Sequence, residues 1–301
     1  MQEMNNWASG VLKRVGEVGP SPKDYHEVTL AITWMRHNVK LYKDMMYELV
    51  IKPHQLYIEQ NLTQGLPEVG QPYNMIFHIY AKPRGYSGDW DLLQKMYACM
   101  SIDNFDPVHG TATSQYKDRW DNYICALPEM LSLKYRFEMF TTQVQVNLTQ
   151  GCKSLVDLGC GNGFFTQQGA NILGLQSRVL GVDNDITSAG GNPAWLKMNV
   201  CKTLPTEQFD MVYSSGLFDY FSDTMFTHVL DGLRIMQPKW IMIGNLQQSV
   251  STKAFMECLG WEIFDRSRWD LLELSSNIFG FNHVRVETDR TGHQHFLVVT
   301  L

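Results

Sequence analysis

Apolar residues recur at helical spacing through Val28 to Leu49 and Trp90 to Met100, with turns punctuated at Pro53, Pro67, Pro72, Pro83 and Pro107. This part of the chain reads as mostly helical. Tyr116 to Val146 predicts one or two further helices, Pro128 marking a start or a kink. Near Gly151 the pattern changes to short apolar runs alternating with helix-like stretches, which is the signature of parallel strands joined by crossovers. Strands are expected at Ser154 to Leu158, Arg178 to Val182, Phe209 to Ser214, Trp240 to Gly244, His283 to Glu287 and His295 to Leu301. The last two flank Thr288-Asp289-Arg290-Thr291-Gly292 and read as a terminal hairpin. Helices are expected at Gly163 to Leu173, Ser222 to Met236, Ser251 to Leu259 and Arg268 to Ser275. The organisation predicted is a mainly helical region over 1–150 and an α/β region over 151–301.

Composition narrows the partners. With 301 residues, 44% hydrophobic and 12% aromatic, the chain has material for a sizeable core. A net charge of -6 offers no general basic field for a phosphate backbone, so nucleic acid is a poor substrate. The opening residues lack a basic, apolar leader, and no uncharged stretch is long enough to span a bilayer, so a cytoplasmic protein with no membrane partner is expected. The six cysteines are scattered without a C-x-x-C pair, suggesting neither a zinc knuckle nor a disulfide framework. The sequons at Asn61 and Asn147 are discounted in such a chain.

Chemistry concentrates after Gly151. Ser154-Leu155-Val156-Asp157-Leu158 is a buried-strand sequence ending in a carboxylate, and it runs into Gly159-Cys160-Gly161-Asn162-Gly163 before a helix. Glycines there let the backbone turn tightly against a ligand, and the helix that follows presents unpaired N–H groups. A second strand, Val179-Leu180-Gly181-Val182, ends in Asp183, whose carboxylate can accept from both hydroxyls of a ribose, with Asn184 in the same loop. The glycine spacing is G-x-G-x-G rather than the G-x-G-x-x-G of a dinucleotide site.

Val156 to Gly163 resembles the first motif of class I S-adenosylmethionine-dependent methyltransferases, and Leu180-Gly181-Val182-Asp183 resembles their second. The resemblance implies S-adenosylmethionine as cofactor and a Rossmann-like seven-stranded sheet whose last strand is antiparallel. It implies a cofactor site of Asp157, Gly159, Cys160, Gly161, Asn162, Gly163, Asp183 and Asn184. Phe209 to Gly216 is similar to the family's fourth strand, whose end, at Ser214, faces the donor methyl group. Asn199 stands where the family often has an Asp beside adenine, and its amide can still hydrogen-bond a base edge. Gly216 to Asp223, Trp261 to Arg266 and Thr291 to Leu297 look similar to a bacterial group associated with the methyl ester of 3-hydroxypalmitic acid.

Asp219 and Tyr220 follow the fourth strand as candidate general base and acceptor-orienting ring, against the plainer roles of helix cap and core packing. Arg119 or Arg136 is a candidate partner for the cofactor carboxylate, the segment Tyr116 to Tyr123 folding over the site as a lid, against an amphipathic helix with its charges in water. His228, His283, His293 and His295 read more simply as polar residues than as bases, and no metal site is expected. The function expected is methyl transfer to an O or N nucleophile of a small or carrier-bound molecule. Two alternatives stay open: cyclisation of S-adenosylmethionine to a four-membered amino acid with release of methylthioadenosine, and a nucleotide-binding regulator without catalysis.

Overall fold

A computed structural model describes residues 2–16, 19–35, 37, 39–53, 55–56, 75–99, 119–186 and 189–301. Pro67, Pro72, Met100, Pro107, Asn61 and Tyr116 to Asp118 lie outside the described residues. The chain divides into two compact units, Met1–Leu131 with Gln248–Glu262, and Ser132–Gln247 with Ile263–Leu301.

The first unit is helical among its described residues, with helices at Gln2–Val15, Tyr25–Met35, Val39–Met46, Met75–Ala81, Trp90–Cys99, Arg119–Ala126 and Val250–Cys258. The helical spacing over Val28 to Leu49 falls in two helices followed by a π turn, Tyr47–Ile51. Its core is aromatic: fully buried Trp120 stacks on Phe255 at 6.4 Å, and Tyr123 meets both rings edge-on. Glu129 fixes the start of Val250–Cys258, accepting from the Ser249 N–H at 2.6 Å and from the Thr252 hydroxyl at 2.8 Å. That carboxylate ties a distant stretch of chain into the helical unit.

The boundary expected at Gly151 therefore lies elsewhere, and the reason is packing. The helix Pro128–Thr149 is assigned to the sheet unit from Ser132 onward, where Phe140 lies 4.3 Å from Tyr213 and the Asn147 amide donates to the Met211 sulfur at 3.3 Å. Gln248–Glu262, predicted to belong with the sheet, joins the helical unit instead.

The second unit is a seven-stranded sheet in the order β3-β2-β1-β4-β5-β7-β6. Its strands are β1 Ser154–Leu158, β2 Arg178–Asp183, β3 Ala194–Lys197, β4 Met211–Ser214, β5 Trp240–Leu246, β6 Val284–Thr288 and β7 Gln294–Thr300. β1 to β5 pair in parallel, and β7 runs antiparallel between β5 and β6, as the resemblance implied. β3 was implied by the resemblance, which puts a strand end at Asn199, but not read from periodicity: its residues are partly buried or exposed at the sheet edge, so it carries no run of core residues. One sheet face packs Phe140, Phe165 and Tyr213; the other buries Val212, Ile241, Ile243 and Leu297 with Phe226 and Leu230 of the helix Asp223–Met236. Each such side chain contributes about 1.5–3 kcal/mol by leaving water.

Candidate functional site

The parallel strands point their carboxyl ends at one edge, where β1 runs into the glycine turn. Cys160 and Gly159 donate their N–H groups to the Val182 carbonyl at 3.1 and 2.8 Å, stitching the turn to β2. Gly161 has φ +55°, a left-handed conformation that side chains rarely adopt, and its N–H donates to Asp183 Oδ2 at 2.9 Å. Asp183 Oδ1 accepts from Asp185 N–H at 2.9 Å. The carboxylate thus braces turn and loop with two bonds and, having about four lone-pair sites, keeps capacity for a ligand's hydroxyls. Asn162 Oδ1 accepts from Phe164 N–H at 3.2 Å and opens the helix Phe164–Leu173. Asn184 is exposed in the same loop.

Three other expected cofactor contacts look inward. Asp157 is 1% exposed and its Oδ2 accepts from the Thr166 hydroxyl at 2.7 Å, so it struts β1 against the helix Phe164–Leu173. Burial pushes its carboxyl up to about 7, and Asp183 adds to the rise while the Thr166 bond and Arg136 oppose it. Cys160 is buried, and burial first, then Asp157 and Asp183, raise its thiol well above the usual range. Ser214 has no exposed surface and donates its hydroxyl to the Leu158 carbonyl at 2.7 Å, joining β4 to β1. Asn199 is exposed, and its Oδ1 accepts from Cys201 N–H at 3.0 Å to shape the turn after β3. Arg119 is exposed and belongs to the helical unit.

Beyond β4 the chain makes a short turn, Leu217–Tyr220, with Asp219 buried and Tyr220 half-buried. Asp219 Oδ1 accepts from Leu246 N–H at 2.8 Å, and its carbonyl accepts from Phe264 N–H at 2.7 Å. Burial pushes this carboxyl up to about 7; the Leu246 N–H, Arg136 and Arg266 counter it and Asp265 adds to it. A group poised there can take a proton near neutral pH.

Arg266 and Trp195, which sequence reasoning did not single out for the site, and Arg136, which it did, lie along this edge. Arg266, 2% exposed, donates to Asn245 Oδ1 at 2.9 Å and to the Phe218 carbonyl at 3.1 Å, and pairs with Asp223 at 2.9 Å, locking the turn that carries Asp219. Trp195 of β3 lies so close to the glycine turn that a Cβ on Gly163 would stand 2.1 Å from its ring. Arg136 is buried in the sheet unit, donates to the Ser215 carbonyl at 3.2 Å and acts electrostatically on both Asp157 and Asp219. Of the two arginines considered for the cofactor carboxylate, it is the one in the same unit as the turn.

The histidines fill structural places. His295 bonds Thr288 Oγ1 at 2.9 Å and Gln247 Oε1 at 2.7 Å, and burial lowers its pKa. His293 bonds the Gln247 carbonyl at 2.9 Å, His283 the Thr300 carbonyl at 2.7 Å. His228 lies in an open groove of about 470 Å³ that also holds Leu204 and Asp231 and none of the residues above. Among the described residues no cluster of three or more metal-ligating side chains occurs, and no helix is long and apolar enough to cross a membrane.

Strand order, the antiparallel β7 and the glycine turn after β1 define the Rossmann-like class I methyltransferase fold. No family model matches the sequence, and neither does any curated protein. Solved structures do match. A possible exported protein from Bordetella parapertussis is 13% identical over 99% of this chain and 94% of its own, with a TM-score of 0.51. Magnesium protoporphyrin IX methyltransferase from Synechocystis PCC 6803, solved with bound SAH, is 12% identical over 75% of this chain and 97% of its own, with a TM-score of 0.46. Human N-acetylserotonin methyltransferase in complex with SAM is 11% identical, covering 60% of this chain and 58% of its own, with a TM-score of 0.39. At such identities the likeness concerns fold alone.

Proposed function

We propose that the protein transfers the methyl group of S-adenosylmethionine to an O or N nucleophile of a small or carrier-bound molecule. The observation that carries this reading is the Gly161–Asp183 bond, which holds a glycine turn and an acid with spare acceptor capacity together at the carboxyl ends of β1 and β2. When bound there, the cofactor supplies an electrophilic methyl group on a sulfonium. Asp183 would hold the ribose diol, the turn from Gly159 to Gly163 would take the amino-acid part, and Arg136 would pair with its carboxylate. Asp219 accepts the acceptor's proton as the new O–C or N–C bond forms and the C–S bond breaks, its electron pair returning to sulfur. Alignment and exclusion of water supply the remaining acceleration, with no covalent protein intermediate.

Products of labelled S-adenosylmethionine test this. Adenosylhomocysteine together with a methylated acceptor is the expected result, and 3-hydroxypalmitic acid belongs in the first acceptor panel. Methylthioadenosine would show cyclisation instead, and tight adenosylhomocysteine binding without turnover across the panel would show a regulator.

A further inference from the structure

Trp195 of β3 pairs with Gly181 of β2 near the sheet edge, and its ring lies against two bare positions. A Cβ on Gly181 would stand 2.7 Å from the indole Cε3 and Cζ3, and one on Gly163 only 2.1 Å from Cη2 and 2.4 Å from Cζ3. Real Cβ atoms do not approach so closely, so the indole fills the room that two missing side chains leave. Gly181 sits inside a regular strand whose backbone other residues could adopt, and the ring accounts for its bareness. The ring thus bridges β2 and the last residue of the glycine turn, where Gly163 N–H donates to the Cys160 carbonyl at 2.8 Å.

The backbone of the same residue serves the other half of the site. Trp195 N–H donates to the Ala189 carbonyl at 2.7 Å, and the Trp195 carbonyl accepts from Ala189 N–H at 2.9 Å, so the chain that leaves Asp183 is tied back to β3. Just past β3, Met198 N–H donates to the Asp183 carbonyl at 2.9 Å. One residue therefore holds the loop after Asp183 through its main chain and the glycine turn through its ring. The two holds respond differently to substitution, because main-chain bonds survive a change of side chain and ring packing does not.

We propose that Trp195 is a positioning residue for the cofactor, its ring setting the glycine turn to take the amino-acid part while its backbone keeps the Asp183 loop in place for the ribose. The assignment rests on the S-adenosylmethionine reading and adds to it the residue that joins the two halves of the site. Truncating the ring leaves a void beside Gly163 and loosens the turn alone, so the loss falls on ligands that carry an amino-acid part. Enlarging Gly181 acts from the other side: the added methyl drives the ring toward the turn, and a smaller ring at position 195 relieves it.

The test measures the affinities of the full chain for adenosylhomocysteine and for adenosine, which has the ribose and no amino-acid part, by calorimetry. Trp195→Ala should weaken adenosylhomocysteine about tenfold, near 1.4 kcal/mol, and adenosine less than about twofold, with Trp195→Phe restoring most of the difference. Gly181→Ala should also weaken adenosylhomocysteine, and combining it with Trp195→Phe should regain the affinity, a non-additivity that independent damage at two sites does not give. Unchanged adenosylhomocysteine affinity in a folded Trp195→Ala chain, or equal losses for both ligands, would overturn the proposal, the second pointing to general loosening of the site. Should Trp195→Ala not fold, the Gly181 pair decides, and an absent or additive effect there overturns the proposal. A wild-type chain that binds neither ligand would sink the cofactor reading and this assignment together, whereas a wild type that binds and variants that match it sink the assignment alone.

Discussion

The two ends of the candidate site are built differently. At β1 and β2 the site is local: one turn of five residues and one acid at the next strand end, bonded directly through Gly161 and Asp183. At β4 and β5 it is assembled from separate stretches, with Asp219, Leu246 and Arg266 brought to one edge only because the sheet folds. Each end also holds a buried carboxyl pushed up to about 7. Asp157 is satisfied by a side-chain hydroxyl and works within the fold, whereas Asp219 is held by a backbone N–H, close to Gly216. Burial raises both carboxyls, so the shift by itself does not separate them, and the proposal for Asp219 rests on its surroundings.

The largest effect should come from the assembled end. Asp219→Asn keeps an oxygen for Leu246 N–H but cannot take a proton, so methyl transfer should fall by about 10²–10⁴ while adenosylhomocysteine affinity holds. In the wild type, kcat/KM should climb as pH rises through about 7, where Asp219 ionises. Equal losses in rate and in cofactor affinity would erase the distinction between the two ends.

Asp183→Ala probes the local end. It removes the partner of Gly161 and Asp185 N–H groups together with the ribose acceptor, and charge-assisted bonds of about 1.5–3 kcal/mol each translate into at least tenfold weaker adenosylhomocysteine binding. Calorimetry on a folded variant that finds unchanged affinity removes Asp183 from the cofactor site.

Asp157→Asn should act on stability rather than binding. The native carboxyl titrates near 7 and the unfolded one near 4, so the native state holds the extra proton between these values. The stability tied to that proton is present below about pH 4 and is lost as pH rises through about 7, by up to ~1.4 kcal/mol per pH unit. The Asn variant keeps an acceptor for Thr166, so its advantage over wild type should widen from about pH 4 to 7 in urea unfolding and level off above. A difference independent of pH would mean that Asp157 is not a buried acid of this kind.

The same contrast explains what the sequence disclosed. Val156 to Gly163 and Asp183 are legible because strand, turn and acid are contiguous or a fixed step apart, and the structure bonds them as neighbours. Asp219 was legible only as the acid after β4, since its Leu246 partner lies 27 residues on. Likewise, Gln248–Glu262 looked like part of the α/β succession, and the bonds from distant Glu129 that draw it into the helical unit carry no local pattern.

The smallest expected effect concerns the helical unit. Arg119 opens the helix Arg119–Ala126, whose Trp120, Tyr123 and Ile124 are buried while Arg119 itself is exposed. If the segment closes over the cofactor as a lid, adenosylhomocysteine should slow amide exchange there, because closure restricts local opening. Protection should nevertheless be weaker than at Gly159 to Gly163, the turn proposed to lie against the ligand. The comparison needs hydrogen exchange with and without adenosylhomocysteine, read peptide by peptide across both units. Slowed exchange at Arg119–Ala126 that disappears in Arg119→Ala would tie the arginine to the cofactor. Protection restricted to Ser132–Gln247 and Ile263–Leu301 would remove Arg119 from the cofactor site and leave Arg136, already buried against the Ser215 carbonyl, as the guanidinium that answers the cofactor carboxylate.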